Sequence, residues 1–230
     1  MWDGCGFMKK IYNDNAIGLF PLPNGFVVLV RQKEYDGKMV IQYKKISFED
    51  GVVSSVTRNE FQYYKFGKNY KSFEMQLKGY LNWKIVTLPD YRIFAVHPDG
   101  TAKILDIDAR TEWQGTMLYK EHGPADIALH GHTIWASFPE SNALIRFNLR
   151  TMREELRIGG GNTSAFSKPS GLFVERDKML VCNPGSNKLL EIDLNSYTVH
   201  EYAEFENPVY EYIKINASEI VMLSTGIYVL

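Results

Sequence analysis

The chain has 230 residues, of which 45% are hydrophobic and 23% are charged, a composition that excludes a disordered or collagen-like protein. No run of 18 apolar residues occurs, which excludes a transmembrane helix. The formal net charge of −1 provides no general attraction to nucleic acid or to anionic lipid, so we expect neither nucleic acid nor a membrane as a partner.

The first residues and the cysteines indicate the compartment. Residues 1–7 lack the basic and apolar regions of a secretory signal peptide, so we expect a cytoplasmic protein. Cys5 and Cys182 lie far apart in the chain, which excludes a cysteine-rich metal knuckle. A disulfide between them would be unusual inside the cell.

Short β-strand patterns begin near residue 16. Apolar runs at residues 16–20 and 26–31 flank a Pro-Asn-Gly turn, and two further runs at residues 38–46 and 52–56 flank a Glu-Asp-Gly turn. Gly, Pro, Asn and Asp are the residues that tight turns favour. This pattern predicts a first unit of four antiparallel strands.

A surplus segment, residues 58–82, separates this unit from the next one. We predict an inserted hairpin or long outer strands here and no helix, with a degenerate sixth repeat as the alternative. Its tyrosines and lysines could stack on and neutralise a glycan or a polyanion; the alternative is an amphipathic hairpin that covers a neighbouring unit. The candidate surface-binding residues are Tyr63, Tyr64, Lys65, Lys68 and Tyr70.

The clearest feature is an internal repeat between residues 124–158 and residues 169–202. Pro124 corresponds to Pro169 and Asn142 to Asn187, and both pairs are separated by 45 residues. Each copy contains four short β runs separated by turn-forming residues, and weaker copies begin near residues 83 and 208. Four antiparallel strands at this period are typical of a β-propeller blade.

The last copy lacks its fourth strand, and residues 7–12 form a spare strand at the other end of the chain. An open ring of blades would expose unpaired strand edges. We therefore predict that residues 7–12 complete the last blade. The prediction is an all-β propeller of five blades over residues 1–230, with six blades as the alternative, and with inner strands that begin near residues 16, 83, 124, 169 and 208.

The matched copies resemble the blades of NHL-repeat and streptogramin lyase-like propellers, through residues 123–151 and 168–196. The resemblance implies a propeller and, for the lyase, histidines and glutamates that face the central funnel together with a divalent cation. The lyase histidines tend to follow the proline that opens an inner strand. In this sequence those positions hold Ala125, Ser170 and Val209, so no catalytic residue is transferred.

Residues at the start of the inner strands are the candidates for a central ligand site. They are Trp83, Lys84, Asp126, Ser170, Tyr210 and Glu211, to which His122 is added because it lies just before an inner strand. Opposed lysine and carboxylate side chains could bind a small molecule, and two carboxylates could hold a divalent cation. The alternative is a structural water channel. His130 and His132 fall in an exposed turn of the repeat and are not expected to bind a metal.

These patterns favour a recognition protein. We expect a monomer that binds a small molecule in its funnel or a protein on its loop face. The alternative is a metal-assisted lyase or hydrolase built around His122, Asp126 and Glu211, and the third hypothesis is glycan or polyanion binding through residues 61–78. The sequence leaves open whether the protein is an enzyme.

Overall fold

A computed structural model describes residues 8–13, 16–48, 52–161 and 164–230 of the chain. Within those residues, twenty strands form five four-stranded antiparallel sheets, which are the blades of a β-propeller. The prediction of an all-β propeller with five blades is confirmed, and the alternative of six blades is wrong.

The strands follow one another through the blades in chain order. Strand β1 spans Lys9–Tyr12. Blade 1 contains β2 (Ala16–Leu22), β3 (Gly25–Lys33), β4 (Met39–Ser47) and β5 (Val53–Val56). Blade 2 contains β6 (Lys84–Thr87), β7 (Ile93–Val96), β8 (Thr101–Leu105) and β9 (Thr111–Thr116). Blade 3 contains β10 (Asp126–His130), β11 (Thr133–Phe138), β12 (Ala143–Asn148) and β13 (Glu154–Gly159).

The remaining two blades complete the ring. Blade 4 contains β14 (Leu172–Glu175), β15 (Lys178–Asn183), β16 (Lys188–Asp193) and β17 (Val199–Glu204). Blade 5 contains β18 (Val209–Ile215), β19 (Ser218–Leu223) and β20 (Gly226–Val229), and β1 is its fourth strand. The inner strands β2, β6, β10, β14 and β18 begin within three residues of their predicted starts.

The ring closes through the two ends of the described chain. Strand β1 pairs antiparallel with β20, with Lys9 opposite Val229 and Lys10 opposite Tyr228. The predicted closure is therefore confirmed for Lys9–Tyr12, while Phe7 lies outside the described residues. Pairing removes the open edge that β20 would otherwise expose.

The backbone conformation of the turns explains why asparagine occurs at matching positions of the two repeat copies. Asn142 and Asn187 each follow a one-turn 3₁₀ helix and adopt left-handed conformations, with φ of 49° and 59°. Asn tolerates this region better than most residues because its short polar side chain bonds locally. Asn142 Oδ1 accepts a hydrogen bond from Lys168 N at 2.8 Å, so the turn also holds the segment that leads to blade 4.

The surplus segment is helical, and the prediction of a hairpin without any helix is wrong. It forms α1 (Arg58–Phe66) and α2 (Tyr70–Gln76), with short 3₁₀ turns at Gly67–Asn69 and Tyr80–Asn82. A capping box starts α1: Thr57 Oγ1 accepts from Glu60 N at 3.2 Å, and Glu60 Oε2 accepts from Thr57 N at 2.7 Å. This pair satisfies backbone donors that a new helix leaves free. Residues 57–82 are called the helical insert below.

Apolar side chains fill the junctions between neighbouring blades. Representative buried residues are Phe94 and Ile134 between blades 2 and 3, Trp135 and Val181 between blades 3 and 4, Leu180 and Val221 between blades 4 and 5, and Val28 and Ile220 between blades 5 and 1. Burial of this apolar surface is the main force that holds the blades together.

The junction between blades 1 and 2 differs because the helical insert fills it. Phe61, Phe73 and Tyr80 of the insert are buried with Val27 of blade 1 and Ala95 of blade 2 in one apolar cluster. This packing places α1 beside the propeller axis. No helix in the described residues has the length and apolar character needed to cross a membrane.

Candidate functional site

A cavity of about 340 Å³ lies where the five inner strands meet. Every blade and α1 contribute to its wall, and we call it the axial cavity. The residues used below are Leu19 from β2, Lys84 from β6, Asp126 from β10, Leu172 from β14, Glu211 from β18 and Lys65 from α1. Two depressions of about 700 and 840 Å³ lie at the outer ends of blade junctions, and each is lined by two blades. The axial cavity is the better candidate because all five inner strands converge on it.

Two carboxylates of the cavity fasten one blade to another. Asp126 Oδ2 accepts a hydrogen bond from Leu172 N at 2.8 Å, which joins blade 3 to blade 4. Glu211 Oε2 accepts one from Leu19 N at 2.9 Å, which joins blade 5 to blade 1. Charge-assisted bonds of this kind are stronger than bonds between neutral groups. Each carboxylate thus has a structural role, and its second oxygen is not used in that bond.

Lys84 and Asp126 form the ion pair of the cavity. Lys84 Nζ lies 3.7 Å from Asp126 Oδ1, and the side chains are 41% and 17% exposed. The charge of Asp126 raises the pKa of Lys84, with Glu211 adding to the effect against the cost of burial. Lys84 is therefore a fixed cation at neutral pH. Its exposure shows that water reaches this part of the cavity.

Lys65 is a second cation in the same space. It lies one turn after Phe61 on α1, so both side chains share the helix face that meets the blades. In the described residues, no acceptor lies within hydrogen-bonding distance of its Nζ, which is 5.8 Å and 6.0 Å from the ring centroids of Phe66 and Tyr80. Burial, together with repulsion from Lys84, lowers the pKa of Lys65 to about 8.

The placement of Lys65 corrects the sequence analysis, which put it on an outer binding surface. A strand-like hairpin gave no reason to turn this one lysine inward, whereas a helix packed through Phe61 does so directly. The signal that could have revealed the helix is the spacing Thr57-Arg-Asn-Glu60, a capping-box pattern.

Glu211 faces the cavity from blade 5. Burial raises the pKa of this carboxyl, and the positive charge of Lys84 opposes that effect. Cys182 is buried behind it, and burial raises the pKa of the thiol well above its usual value. The thiol is therefore protonated at neutral pH, and sequence reasoning did not single it out as a cavity neighbour.

The four remaining candidates for the central site differ in where they lie relative to the axial cavity. Trp83 lines the cavity and is buried, with its indole N–H bonded to Lys78 O at 3.2 Å. Ser170 Oγ donates to Tyr210 O at 3.0 Å, which joins blades 4 and 5. The Tyr210 side chain is exposed, and its neighbour Tyr212 lines the cavity instead. His122 is exposed in a tight turn with Tyr119, away from the described lining of the cavity.

The five surface-binding candidates belong to the helical insert, and they differ in how exposed their side chains are. Tyr63 and Tyr64 are 56% and 40% exposed, and Lys68 is exposed as well. Tyr70 packs against the apolar cluster between blades 1 and 2. Glycan or polyanion binding remains a prediction, and three of its five residues have an exposed side chain.

The cavity does not suit the divalent cation that the resemblance implies. Two carboxylates face it together with two lysines, and Asp126 and Glu211 each use one oxygen on a backbone N–H. Within the described residues, no group of three or more His, Cys, Asp and Glu side chains could hold a metal ion. Hard cations need several oxygen ligands, and neighbouring ammonium groups would repel the ion.

Comparison with known proteins agrees with the fold. No protein-family model and no curated protein matches the sequence. A streptogramin B lyase structure superposes with a TM-score of 0.52 at 12% identity, covering 97% of this chain and 96% of the other. The chain is similar to this lyase in its fold.

Two further solved structures support the same conclusion. A catalytically inactive virginiamycin B lyase from Staphylococcus aureus with quinupristin gives a TM-score of 0.54 at 12% identity, covering 94% of this chain and 81% of the other. The WD40 propeller domain of Doa1 gives 0.53 at 9% identity, covering 93% and 62%. At such low identity the likeness shows the fold and does not transfer an activity.

Proposed function

We propose that the protein binds a small organic anion in its axial cavity. The observation that carries the proposal is Lys65, an ammonium group that faces the cavity without a hydrogen-bond acceptor among the described residues. Lys65 is partly buried, and a charged group that loses part of its hydration is costly to keep unless it is paired. An anionic ligand would supply the missing partner.

Lys84 strengthens the case for an anion. It faces the same cavity and is close enough for its charge to lower the pKa of Lys65. Its own partner Asp126 lies at 3.7 Å, longer than a direct charge-assisted hydrogen bond. A carboxylate placed between the two ammonium groups would relieve their repulsion and accept hydrogen bonds from both.

The size and walls of the cavity limit the ligand. Its volume of about 340 Å³ is near the lower end of ordinary ligand sites, which run from about 300 to 1,000 Å³. Phe20, Phe61 and Phe173 contribute apolar wall beside the charged groups. A short carboxylic acid with a few carbon atoms fits this combination better than a sugar or a nucleotide does.

Calorimetric titration of the purified chain with lactate, succinate and inorganic phosphate tests the proposal. We expect a carboxylate to bind and Lys65→Met to weaken it by about 10- to 100-fold, because a hydrogen bond to a charged group contributes about 1.5–3 kcal/mol. Lys68→Met is the matched control, since Lys68 is exposed on the same insert. If none of the anions binds to the wild-type protein, the proposed function is wrong.

A further inference from the structure

The two lysines of the axial cavity differ in whether they have an ion-pair partner. Anion binding needs two positive charges and does not need this difference. Lys84 is paired with Asp126, which keeps it protonated. Lys65 has no such ion pair in the described part of the chain, and it faces Lys84, Glu211 and the apolar wall. A lysine that is desolvated beside another cation is the usual arrangement for a nucleophilic amine.

The state of the Lys65 amine suits that chemistry. With a pKa of about 8, about a tenth of the amine is neutral at pH 7, against less than about a thousandth for an ordinary lysine. The neutral amine is the form that attacks a carbonyl carbon.

We propose that Lys65 captures a small 2-oxo acid as a reversible imine in the axial cavity, an inference that rests on the proposed binding of a small anion. Lys84 binds the carboxylate of the ligand, and this contact brings the adjacent carbonyl carbon to the Lys65 amine. A 2-oxo acid carries a carboxylate and a carbonyl on neighbouring carbons, so one lysine can bind the anion while the other attacks the carbonyl.

The covalent step needs no redox partner. The Lys65 nitrogen forms a bond to the carbonyl carbon, and a proton moves from that nitrogen to the oxygen to give a carbinolamine. The C–O bond then breaks, the hydroxyl leaves as water with a second proton, and a C=N bond forms. The second proton is the one that the nitrogen loses as the C=N bond forms, and the water that reaches the cavity beside Lys84 can carry it to the leaving hydroxyl. Addition of water reverses every step.

Reductive trapping of the full chain tests the inference. The protein is incubated with pyruvate and sodium cyanoborohydride, which reduces an imine to a stable amine, and peptide mass mapping locates the carboxyethyl group. We expect one adduct at Lys65, formed at least about tenfold faster than at any exposed lysine. Lys65→Met and Lys65→Arg should form no such adduct, while Lys68→Met should still form it. Melting temperatures verify that each variant is folded.

The pH profile of trapping separates a reactive amine from an accessible one. We expect the rate to rise with pH to a midpoint near about 8. The charged groups facing Lys65 are Lys84, Asp126 and Glu211, with Tyr80 and Tyr212 alongside; blades 1 and 4 line the described cavity with uncharged residues. Lys84→Met should move the midpoint up, because it removes a like charge, and Glu211→Gln should move it down.

Lactate separates failure of this inference from failure of the proposed function, because it carries the same carboxylate with a hydroxyl in place of the carbonyl. Lactate binding without a Lys65 adduct from pyruvate would overturn the imine and leave the anion site standing. A Lys65 adduct without lactate binding would support the reactive amine, and it would overturn the anion site together with the role of Lys84 as its carboxylate-binding group. Labelling spread evenly over exposed lysines would overturn the imine as well.

Discussion

At the scale of single residues, the described part of the chain places four charged side chains in one cavity, and they differ in whether they are anchored. Asp126 and Glu211 are anchored by backbone N–H groups of the following blades, and Lys84 is anchored by Asp126. Lys65 has no equivalent anchor in the described residues. A group that folding leaves unsatisfied reduces stability, and such groups concentrate at sites where a ligand will complete the contacts.

We expect Lys65→Met to stabilise the ligand-free protein by about 1–2 kcal/mol at pH 7, since one pKa unit corresponds to about 1.4 kcal/mol and some water still reaches the side chain. The folded-state pKa of Lys65, about 8, lies below its ordinary value of 10.5. The penalty is therefore complete below about pH 8 and disappears as the pH rises towards 10.5. Urea unfolding at about pH 7 and at about pH 10 measures this difference.

Lys68→Met is the control, because an exposed substitution should change stability by less than about 0.5 kcal/mol at either pH. A Lys65→Met protein that is less stable than the wild type at pH 7 would contradict the description of Lys65 as a strained cation.

At the scale of elements, the helical insert determines the chemistry of the axial cavity. It fills the junction between blades 1 and 2, and the same packing that buries Phe61 brings Lys65 to the axis. Further contacts hold its far end: Lys103 Nζ donates to Gln76 O at 2.9 Å, and Asn69 Nδ2 donates to Ile107 O at 2.8 Å. Lys103 lies on β8 and Ile107 lies just after that strand, so both hydrogen bonds attach the insert to blade 2.

The start of α1 provides the test of this element. Thr57→Ala removes the side chain that accepts from Glu60 N, and we expect a loss of about 1 kcal/mol in the free energy of unfolding, which is typical for an N-cap. Thr57→Ser retains the hydroxyl and should stay close to the wild type. Urea unfolding of the three proteins measures the difference. Equal stability of Ala and Ser at this position would show that the cap contributes nothing.

At the scale of the whole molecule, the cavity exists only because the ring closes. Its wall takes residues from all five blades, and blade 5 is complete only when β1 pairs with β20. Ile11 of β1 also packs into the apolar cluster between blades 5 and 1. Strand pairing and apolar burial thus act together at the closure.

Ile11→Asp tests the closure. A carboxylate placed against this cluster should cost about 2–4 kcal/mol, and detachment of β1 would leave β20 as an open edge that promotes association. Differential scanning calorimetry and size-exclusion chromatography report the two effects, and anion binding should weaken with them. Lys9→Asp places the same charge at an exposed position of the same strand and should be nearly neutral. Equal effects of the two substitutions would contradict the closure.

Much of the architecture could be predicted from the sequence because its causes are local or repeated. The turn asparagines Asn142 and Asn187 recur at one offset because each occupies the same left-handed position. The inner strands follow from short apolar runs between turn formers, and the missing fourth strand of the last repeat predicts closure by β1. The positions of Lys84, Asp126 and Glu211 near the propeller axis could be predicted as well, because these residues lie at the starts of inner strands.

Only the tertiary structure decided what the segment between blades 1 and 2 does. Residues 58–82 carry aromatic side chains at spacings that suit either a hairpin or a helix, and burial between two blades selects the helix. Lys65 lines the cavity, whereas His122 lies away from its described lining. Both placements depend on how elements distant in sequence pack around the axis. Local propensity carries no information about that packing, because a side chain's surroundings are supplied by other strands.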